Sequence, residues 1–366
     1  MNLTPLQKIR LRRLALIIIS WTILVLLLFL YEYTAVRIRA PQIADEINIR
    51  FNLFVNLYAG IFAGLLGGPF LVFSVSKTTR NRPFYFGILY TAIGFLLIYI
   101  VISFSISLIV FSTNLQQPLY SKEVLDQTVN NMLAIWQIKN IIIWTIIIST
   151  TQFILQINDK FGPGNLWKFI RGKYYNPREE RRVFMFLDLK SSTSIAEKIG
   201  HNKYYDLLND FYALITDPII NHLGEIYQYV GDEIVVSWPI DKAFKDQNCI
   251  SCFYQIKQCI ENNGQRFMTT YGLIPEFKAG MHSGIVTVGE IGIVKRDIIY
   301  TGDVLNTTSR IQEACNLHRA ELLVSNEIIR SLDNMKSYHI EEIGEIQLKG
   351  KSNKIKIAAV TIKNDG

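Results

Sequence analysis

The decisive stretch is Arg182-Val-Phe-Met-Phe-Leu-Asp188-Leu-Lys-Ser-Ser-Thr193, in which an apolar run ends on a carboxylate. A second such stretch is Glu225-Ile-Tyr-Gln-Tyr-Val-Gly-Asp232-Glu-Ile-Val-Val-Ser-Trp238. Each run has the length and composition of a β-strand. If neighbouring strands bring Asp188 and Asp232 together, their oxygens form a site for divalent metal ions and bound phosphates. The pair therefore indicates phosphoryl transfer.

Gly231-Asp232 alone is an ordinary hairpin turn, so further motifs are needed. Two follow: Phe277-Lys-Ala-Gly-Met-His-Ser-Gly284-Ile-Val-Thr-Val-Gly289-Glu-Ile-Gly292, and Tyr300-Thr-Gly-Asp303-Val-Leu-Asn306-Thr-Thr-Ser-Arg310. In this order, the four segments resemble the catalytic domain of the class III adenylate and guanylate cyclases. The resemblance covers about half the chain, from Arg182 to the C-terminus, and Gly-Asp-x-x-Asn-x-x-x-Arg is its most specific element.

The resemblance implies roles for individual residues. Asp188 and Asp232 would hold two Mg²⁺ or Mn²⁺ ions, with the Leu189 carbonyl as an additional ligand. Asn306 would orient the ribose, and Arg310 would stabilise negative charge on the α-phosphate, a role that suits the fixed donors of a guanidinium. Taken alone, Asn306 could be a helix cap and Arg310 part of a solvated helix face.

The segment after Asp188 is a candidate phosphate loop. Ser191, Ser192 and Thr193 would present backbone N–H groups at a helix N-terminus, which favours a triphosphate. The pattern Ser194-Ile-Ala-Glu197 is a capping box and predicts where that helix opens. In the family, Gly-Phe is common at the positions of Ser191 and Ser192.

Three further positions concern substrate recognition. By resemblance, Gln228 and Ile299 stand where the family selects its base, but they match neither the adenylate nor the guanylate pattern. The Gln228 amide can donate to adenine or accept from guanine, and Ile299 offers no hydrogen bond. Lys349, rather than the nearby Lys351, is the chosen pyrophosphate contact, although either could be an exposed turn lysine.

The resemblance further implies that the metal and Asn/Arg residues come from different chains, so two sites form across a homodimer. ATP is the favoured substrate and cyclic AMP the expected product. GTP or another nucleotide is an alternative, and so is a silent nucleotide-binding regulator. A transporter or receptor is disfavoured because the apolar segments hold no paired charges. We expect a lipid bilayer, but no nucleic acid, as a further partner.

The N-terminal half is apolar and predicts four transmembrane helices. Hydrophobic residues make up 49% of the 366 residues. The segments without charge are close to, or above, the roughly 20 residues that span a bilayer; they are Leu14–Tyr31, Phe51–Ser76, Phe84–Phe111 and Ile141–Ile157. Core helices of a soluble domain are the disfavoured alternative, because these usually keep a polar stripe.

Basic residues beside these spans predict their orientation. They precede the first span, fill the second loop and follow the fourth: Lys8, Arg10, Arg12, Arg13, Lys77, Arg80, Arg82, Lys160, Lys168, Arg171 and Lys173. Arg37, Arg39 and Arg50 in the first outer loop are exceptions, outweighed by the even span count. We expect the inner (plasma) membrane, with both termini and the catalytic domain in the cytoplasm.

These features divide the chain into a four-helix transmembrane bundle at 1–157, an interfacial linker at 158–181 and a catalytic domain at 182–366. The linker is basic and aromatic, as in segments that lie along a membrane surface, although a passive connection is equally compatible. The catalytic domain is expected to be an α+β, ferredoxin-like sandwich with helices over one face of a mostly antiparallel sheet.

Within this domain the patterns predict a strand at Val183–Leu187, one helix that runs on to about Pro218, a helix over Lys245–Asn262 and a hairpin at Phe277–Ile291. All four cysteines lie here, and Cys249-x-x-Cys252 could indicate zinc or redox chemistry. No second Cys or His pair has ligand spacing, so ordinary thiols are favoured.

Overall fold

The structure is a computed structural model that describes residues 3–75, 82–162, 165–294, 296–332, 337–347 and 354–363. Lys77, Arg80, Lys349 and Lys351 lie outside these ranges. The chain forms two compact units: Gln7–Phe161, and Gly162–Gly366 together with Met1–Leu6.

The first unit is helical. Its elements are α1 (Pro5–Arg39), α2 (Pro41–Glu46), α3 (Ile49–Pro69) continued by a π-helical turn (Phe70–Val75), α4 (Phe84–Leu115), α5 (Lys122–Met132) and α6 (Trp136–Phe161). Within the described ranges, four helices are long and apolar enough to cross a membrane: α1, α3 with its π turn, α4 and α6. The prediction of four apolar spans is confirmed.

Small residues bring α1 and α3 together. A Cβ built at Gly60 would lie 2.7 Å from the Thr22 Cα, and one at Gly64 would lie 2.7 Å from the Ile18 Cα. Such close backbone approach supplies extensive van der Waals contact between the two helices. Aromatic rings then fill the centre: Trp21 makes edge contacts with Phe95 and Trp144.

The second unit is built on an eight-stranded sheet. Its elements are α7 (Asn165–Ile170), β1 (Arg178–Leu189), α8 (Ser192–Ile199), α9 (His201–Asn221), β2 (Glu225–Val230), β3 (Glu233–Pro239), α10 (Ile240–Phe244), α11 (Asn248–Asn262), α12 (Gly264–Tyr271), β4 (Phe277–Ile291), β5 (Asp297–Thr301), α13 (Asp303–His318), β6 (Leu322–Ser325), α14 (Asn326–Arg330), β7 (Tyr338–Gln347) and β8 (Lys354–Ile362).

The strand order is β2-β3-β1-β4-β6-β8-β7, with β5 paired to β4. All pairings are antiparallel except that of β4 with β6.

The predicted α+β class is confirmed. The expectation of helices over one face only is wrong, because β1 is apolar on both faces. Val183 and Met185 pack with residues of α9 and α11, whereas Phe184 packs with Val304 of α13 on the other face.

Three predicted elements differ from the observed ones. β1 is longer than expected, because β4 pairs with it from Arg178 onward. The single helix toward Pro218 is two helices, α8 and α9, broken at Gly200, whose φ is +83°. Phe277–Ile291 is one continuous strand and not a hairpin. Gly284 lies mid-strand, where a Cβ would come 2.5 Å from a Val304 methyl, so it marks close packing of α13.

A buried cation fixes one end of the sheet. The guanidinium of Arg182 is fully buried and donates to Glu180 (2.9 Å), Glu225 (2.8 Å) and Ser237 (3.0 Å). It also lies over the Tyr300 ring. Burial by itself would raise the pKa of Glu225, but the nearby positive charges hold it below its ordinary value. This network joins β1, β2 and β3 at the end opposite to Asp188.

The cysteines are free thiols. Cys249, Cys252 and Cys315 are buried, and burial raises the pKa of Cys249 to about 12. Because the thiolate is the reactive form, these side chains behave as inert core residues. The predicted ordinary role is confirmed for them.

The contact between β4 and α13 yields a test. A Cβ at Gly280 would lie 2.3 Å from the backbone N of Gln312, whereas a Cβ at Gly289 on the same strand meets only Pro177 atoms at 3.2 Å and beyond. We expect Gly280→Ala to destabilise the second unit by about 2–3 kcal/mol, because α13 must move off the sheet. Thermal unfolding of the purified chain measures this; Gly289→Ala, the control, should cost clearly less. Equal melting temperatures would contradict the described packing.

Candidate active site

The sheet brings the two predicted acids to one edge. Asp188 at the end of β1 pairs with Glu233 at the start of β3, and Asp232 is the residue before Glu233. Gly231 turns the chain with a φ of +63°, and the Tyr212 hydroxyl donates to its carbonyl at 2.9 Å. The tight β2–β3 turn therefore places Asp232 beside the end of β1.

Negative charge is crowded at this edge. Burial, and then the charge of Asp232, raises the pKa of Asp188. Burial together with both aspartates raises the pKa of Glu233 to about 7. Two groups offset part of this charge: the Lys278 amine lies 3.4 Å from the Asp188 carboxylate, and the Gln312 side chain donates to it at 2.9 Å.

The oxygen donors fit hard divalent cations. A cation would offset both the burial and the mutual repulsion that raise the pKa values of Asp188 and Glu233, and carboxylates are ligands that Mg²⁺ and Mn²⁺ prefer. Among the described residues, no cluster of three or more His, Cys, Asp or Glu has the geometry of a metal site. The residues that could hold such a cation are those expected from the sequence: Asp188 and Asp232, with the Leu189 carbonyl at the end of β1.

The predicted phosphate loop has a special backbone. Ser191 has a φ of +56°, in the left-handed region, and precedes the first residue of α8, Ser192. A left-handed residue other than glycine costs about 1–2 kcal/mol, which explains why glycine is common here in the family that the sequence resembles. The capping-box prediction is wrong: α8 begins two residues before Ser194, and no side-chain bond caps it. Ser192 and Thr193 form its first turn, as a phosphate-binding N-terminus requires.

Asn306 and Arg310 lie on the outer face of α13. Both are exposed, and they are four residues apart on one side of the helix. The opposite side, with Ile311 and Cys315, is buried against the sheet. Arg310 pairs with Glu313 at 2.8 Å. Both side chains therefore lie on the exposed side of α13 and not on its packed face.

Gln312 is a site residue that the sequence reasoning missed. It lies on the buried side of α13, is 4% exposed and reaches Asp188 across 124 positions of sequence. The signal for Gln312 in the sequence was weak, namely a polar residue next to an apolar one, Ile311, in a helical segment. Lys278 was equally overlooked, although its register opposite Asp188 on β4 follows from the antiparallel pairing.

The remaining predicted residues lie on two strands. Gln228 is exposed on the edge strand β2, after a bulge at Tyr227, and Ile299 is half-buried on β5. Their neighbours make contact: the Tyr227 and Tyr300 rings are 4.8 Å apart, edge to face. Lys349 lies outside the described residues, between β7 and β8, which pair as an antiparallel hairpin.

Comparison with known proteins agrees with this geometry. The family model described as the adenylate and guanylate cyclase catalytic domain matches residues 174–362. The chain belongs to this cyclase family. Adenylate cyclase 2 of Rhizobium meliloti is 34% identical over 209 residues, which cover 57% of this chain and 58% of the relative. The adenylate cyclase of Anabaena cylindrica is 27% identical over 189 residues, 49% of this chain and 36% of the relative.

This chain thus spans less than two thirds of these cyclases. Among solved structures, a bacterial light-regulated adenylyl cyclase superposes with a TM-score of 0.51 at 18% identity, over 59% of this chain and 64% of that one. That similarity establishes a shared fold. The second unit is accordingly a cyclase catalytic domain.

The charge crowding at the cyclase site yields a test. Since the fold disfavours the charged form of Asp188, stability falls as the pH rises through the range between its ordinary and its raised pKa. We expect Asp188→Asn in EDTA at neutral pH to raise the unfolding free energy by on the order of 1 kcal/mol. Thermal unfolding checks this.

Asp210→Asn is the matched control. The Asp210 carboxylate accepts from Arg266 (2.9 Å) and Tyr271 (3.0 Å), so its replacement should lower stability or leave it unchanged. In addition, Mn²⁺ should stabilise the wild type more than Asp188→Asn. A loss of stability in Asp188→Asn without metal would refute the electrostatic description.

Proposed function

We propose that the chain is a membrane-anchored nucleotide cyclase that converts ATP to 3′,5′-cyclic AMP and pyrophosphate in a homodimer. The observation that carries the proposal is the crowding of Asp188, Asp232 and Glu233 at one sheet edge of a cyclase catalytic domain. The names of the bacterial relatives, both adenylate cyclases, favour ATP.

In the proposed reaction, Asp188 and Asp232 hold two Mg²⁺ or Mn²⁺ ions, with the Leu189 carbonyl as a further ligand. When bound, the ions lower the pKa of the ribose 3′-hydroxyl and neutralise charge on the leaving pyrophosphate. The backbone N–H groups at Ser191, Ser192 and Thr193 bind the triphosphate, and the N-terminus of α8 favours its negative charge.

The Asn/Arg pair completes the site from the second chain. Asn306 orients the ribose, and Arg310 donates to the α-phosphate oxygens as charge develops during ring closure. The exposure of both side chains, on the face of α13 that points away from its own sheet, supports this assignment. To reach substrate, Arg310 has to leave Glu313, a pairing between exposed groups that costs little to break.

Exposed apolar side chains support the homodimer. Tyr229 and Val230 are about half exposed on the edge strand β2, and Ile291 and Ile293 protrude at the β4–β5 turn. Apolar side chains exposed in this way gain stability when a second surface covers them. They are near in sequence to Gln228 and Ile299, the two residues proposed to contact the base, so the proposal places association and nucleotide recognition in one region.

The basic residues beside the four spans support an orientation with both termini and the catalytic domain in the cytoplasm, where nucleotides are available. The proposed location is the inner (plasma) membrane. The segment 158–181 is proposed to connect the two units along the membrane surface. Its short helix α7 carries an exposed Trp167 under the guanidinium of Arg171, a composition suited to lipid headgroups.

Product formation tests the proposal directly. The chain purified in detergent is offered ATP, GTP, CTP and UTP with Mn²⁺, and products are separated by chromatography. We expect cyclic AMP from ATP. If only GTP is cyclised, the protein is still a nucleotide cyclase, but its substrate is GTP and not ATP. If a verified dimer forms no cyclic product from any of the four, the proposal is wrong. If ATP raises the melting temperature but no product forms, the protein is better described as a silent nucleotide-binding regulator. This is the second candidate function because Ile299 offers no hydrogen bond to a base.

Complementation tests the shared site. Asp188→Ala and Arg310→Ala should each lower activity by about 10²–10³-fold or more. Mixed under conditions in which protomers exchange, they should regain activity, because one of the two sites in a heterodimer keeps all its groups. Arg330→Ala, which removes an exposed helical arginine elsewhere, is the control and should stay active. Verified heterodimers without recovery would refute the shared site.

A further inference from the structure

The first unit encloses a cavity of about 540 Å³ at one end of the helical bundle. We call it the bundle cavity. Its walls are the C-terminal half of α1, the N-terminal half of α3, the C-terminal half of α4 and the N-terminal half of α6. Ile47, just after α2, and Asn131 of α5 contribute at the same end. Close-packed interiors rarely leave voids larger than one water molecule, and this volume falls in the range of small-molecule sites.

The shape of the cavity follows from residue size. Ala59 and Ala63 on α3 face Ser103 and Ser107 on α4, and these small side chains leave the space open. Below them, Phe95 stacks against Trp144 at 5.7 Å, a contact that closes the floor.

Aromatic side chains from three helices contribute to the walls. Phe29 and Tyr33 from α1, Tyr99 from α4 and Trp136 from α6 all line the space. Rings offer large apolar contact area and stack on flat partners.

Two asparagines, Asn56 and Asn131, line the same space. The amide nitrogen of Asn56 donates to the Asn52 carbonyl at 2.8 Å, and that of Asn131 donates to Ser107 at 2.9 Å. The amide oxygens of Asn56 and Asn131 are thereby left as acceptors. Within the described ranges, no protein donor is recorded for either oxygen. A ligand that carries a donor would satisfy them.

Net charge is balanced in the cavity. Of its lining residues, all of which are described, Glu32 is the charged one, and its carboxylate pairs with Lys139 at 2.6 Å. An ionic ligand would enter apolar, aromatic walls without a counter-charge, which is unfavourable. The occupant that fits is uncharged.

We propose that the bundle cavity binds an uncharged amphiphile: a flat, ring-bearing apolar body with a hydroxyl or amide donor directed at Asn56 and Asn131. With the orientation proposed above, the site opens toward the outer side of the membrane. Binding is independent of the cyclase reaction, so this inference and the proposed function stand or fall separately.

The test is photolabelling of the full chain in phosphatidylcholine nanodiscs. The probe is a 4-octylphenol with a diazirine in its alkyl chain, and mass spectrometry maps the adducts. We expect adducts on segments that line the cavity, displaced by excess 4-octylphenol. The methyl ether 4-octylanisole, which lacks the donor, should compete about three- to tenfold less well, the value of one hydrogen bond. Octanoate should not compete.

Ala59→Phe fills the cavity and should reduce its labelling to the level of the lipid-facing helices. Ala15→Phe, which adds the same ring at an exposed position of α1, should label like the wild type. If Ala59→Phe does not fold, Asn56→Leu serves: it removes one of the two acceptors at similar volume, so the advantage of the phenol over the ether should become smaller, and an unchanged advantage would count against the proposal. Labelling spread along lipid-facing surfaces, equal competition by the ether in the wild type, or displacement by octanoate would each overturn the proposal.

Discussion

The buried guanidinium of Arg182 is the interaction on which the catalytic domain depends. It balances Glu180 and Glu225 and bonds to Ser237, so three strands are tied together at one end of the sheet. Removing Arg182 would take this partner from the largely buried carboxylates of Glu180 and Glu225, which is costlier than losing a surface ion pair. With this end fixed, the antiparallel register of β1 and β3 sets Asp188 opposite Glu233 at the other end.

The two ends of β1 therefore have opposite electrostatics. Around Arg182, positive charge lowers the pKa of the acids; around Asp188, crowded acids raise it. The first arrangement stabilises the fold and the second opposes it, which is expected where cations bind. The two sides of α13 differ in their contacts. The buried side packs at Gly280 and carries Gln312 to Asp188, and the outer side leaves Arg310 exposed.

Much of this was predictable from local pattern. The four apolar spans, the acidic strand ends and the α+β class follow from hydrophobic runs and turn residues. The predictions that failed did so for physical reasons that a local pattern does not contain. Gly284 suggested a turn, but it marks the close approach of α13 to the sheet. Ser194 suggested a helix cap, but the helix already begins at Ser192, after the left-handed residue Ser191. In each case a contact distant in sequence, or an unusual backbone angle, overrode a local preference.

The sequence by itself determined the division into an apolar and a catalytic half, and the acidic and Asn/Arg motifs in their order. Both depend on composition and on the spacing of residues, which can be read directly from the sequence. The tertiary structure decided that Gln312 and Lys278 meet Asp188, that both faces of the sheet are covered, and that small side chains on α3 and α4 leave a cavity. These outcomes depend on packing between segments that are far apart in the chain. Only when those segments meet is it decided which space the side chains fill and which charges they neutralise.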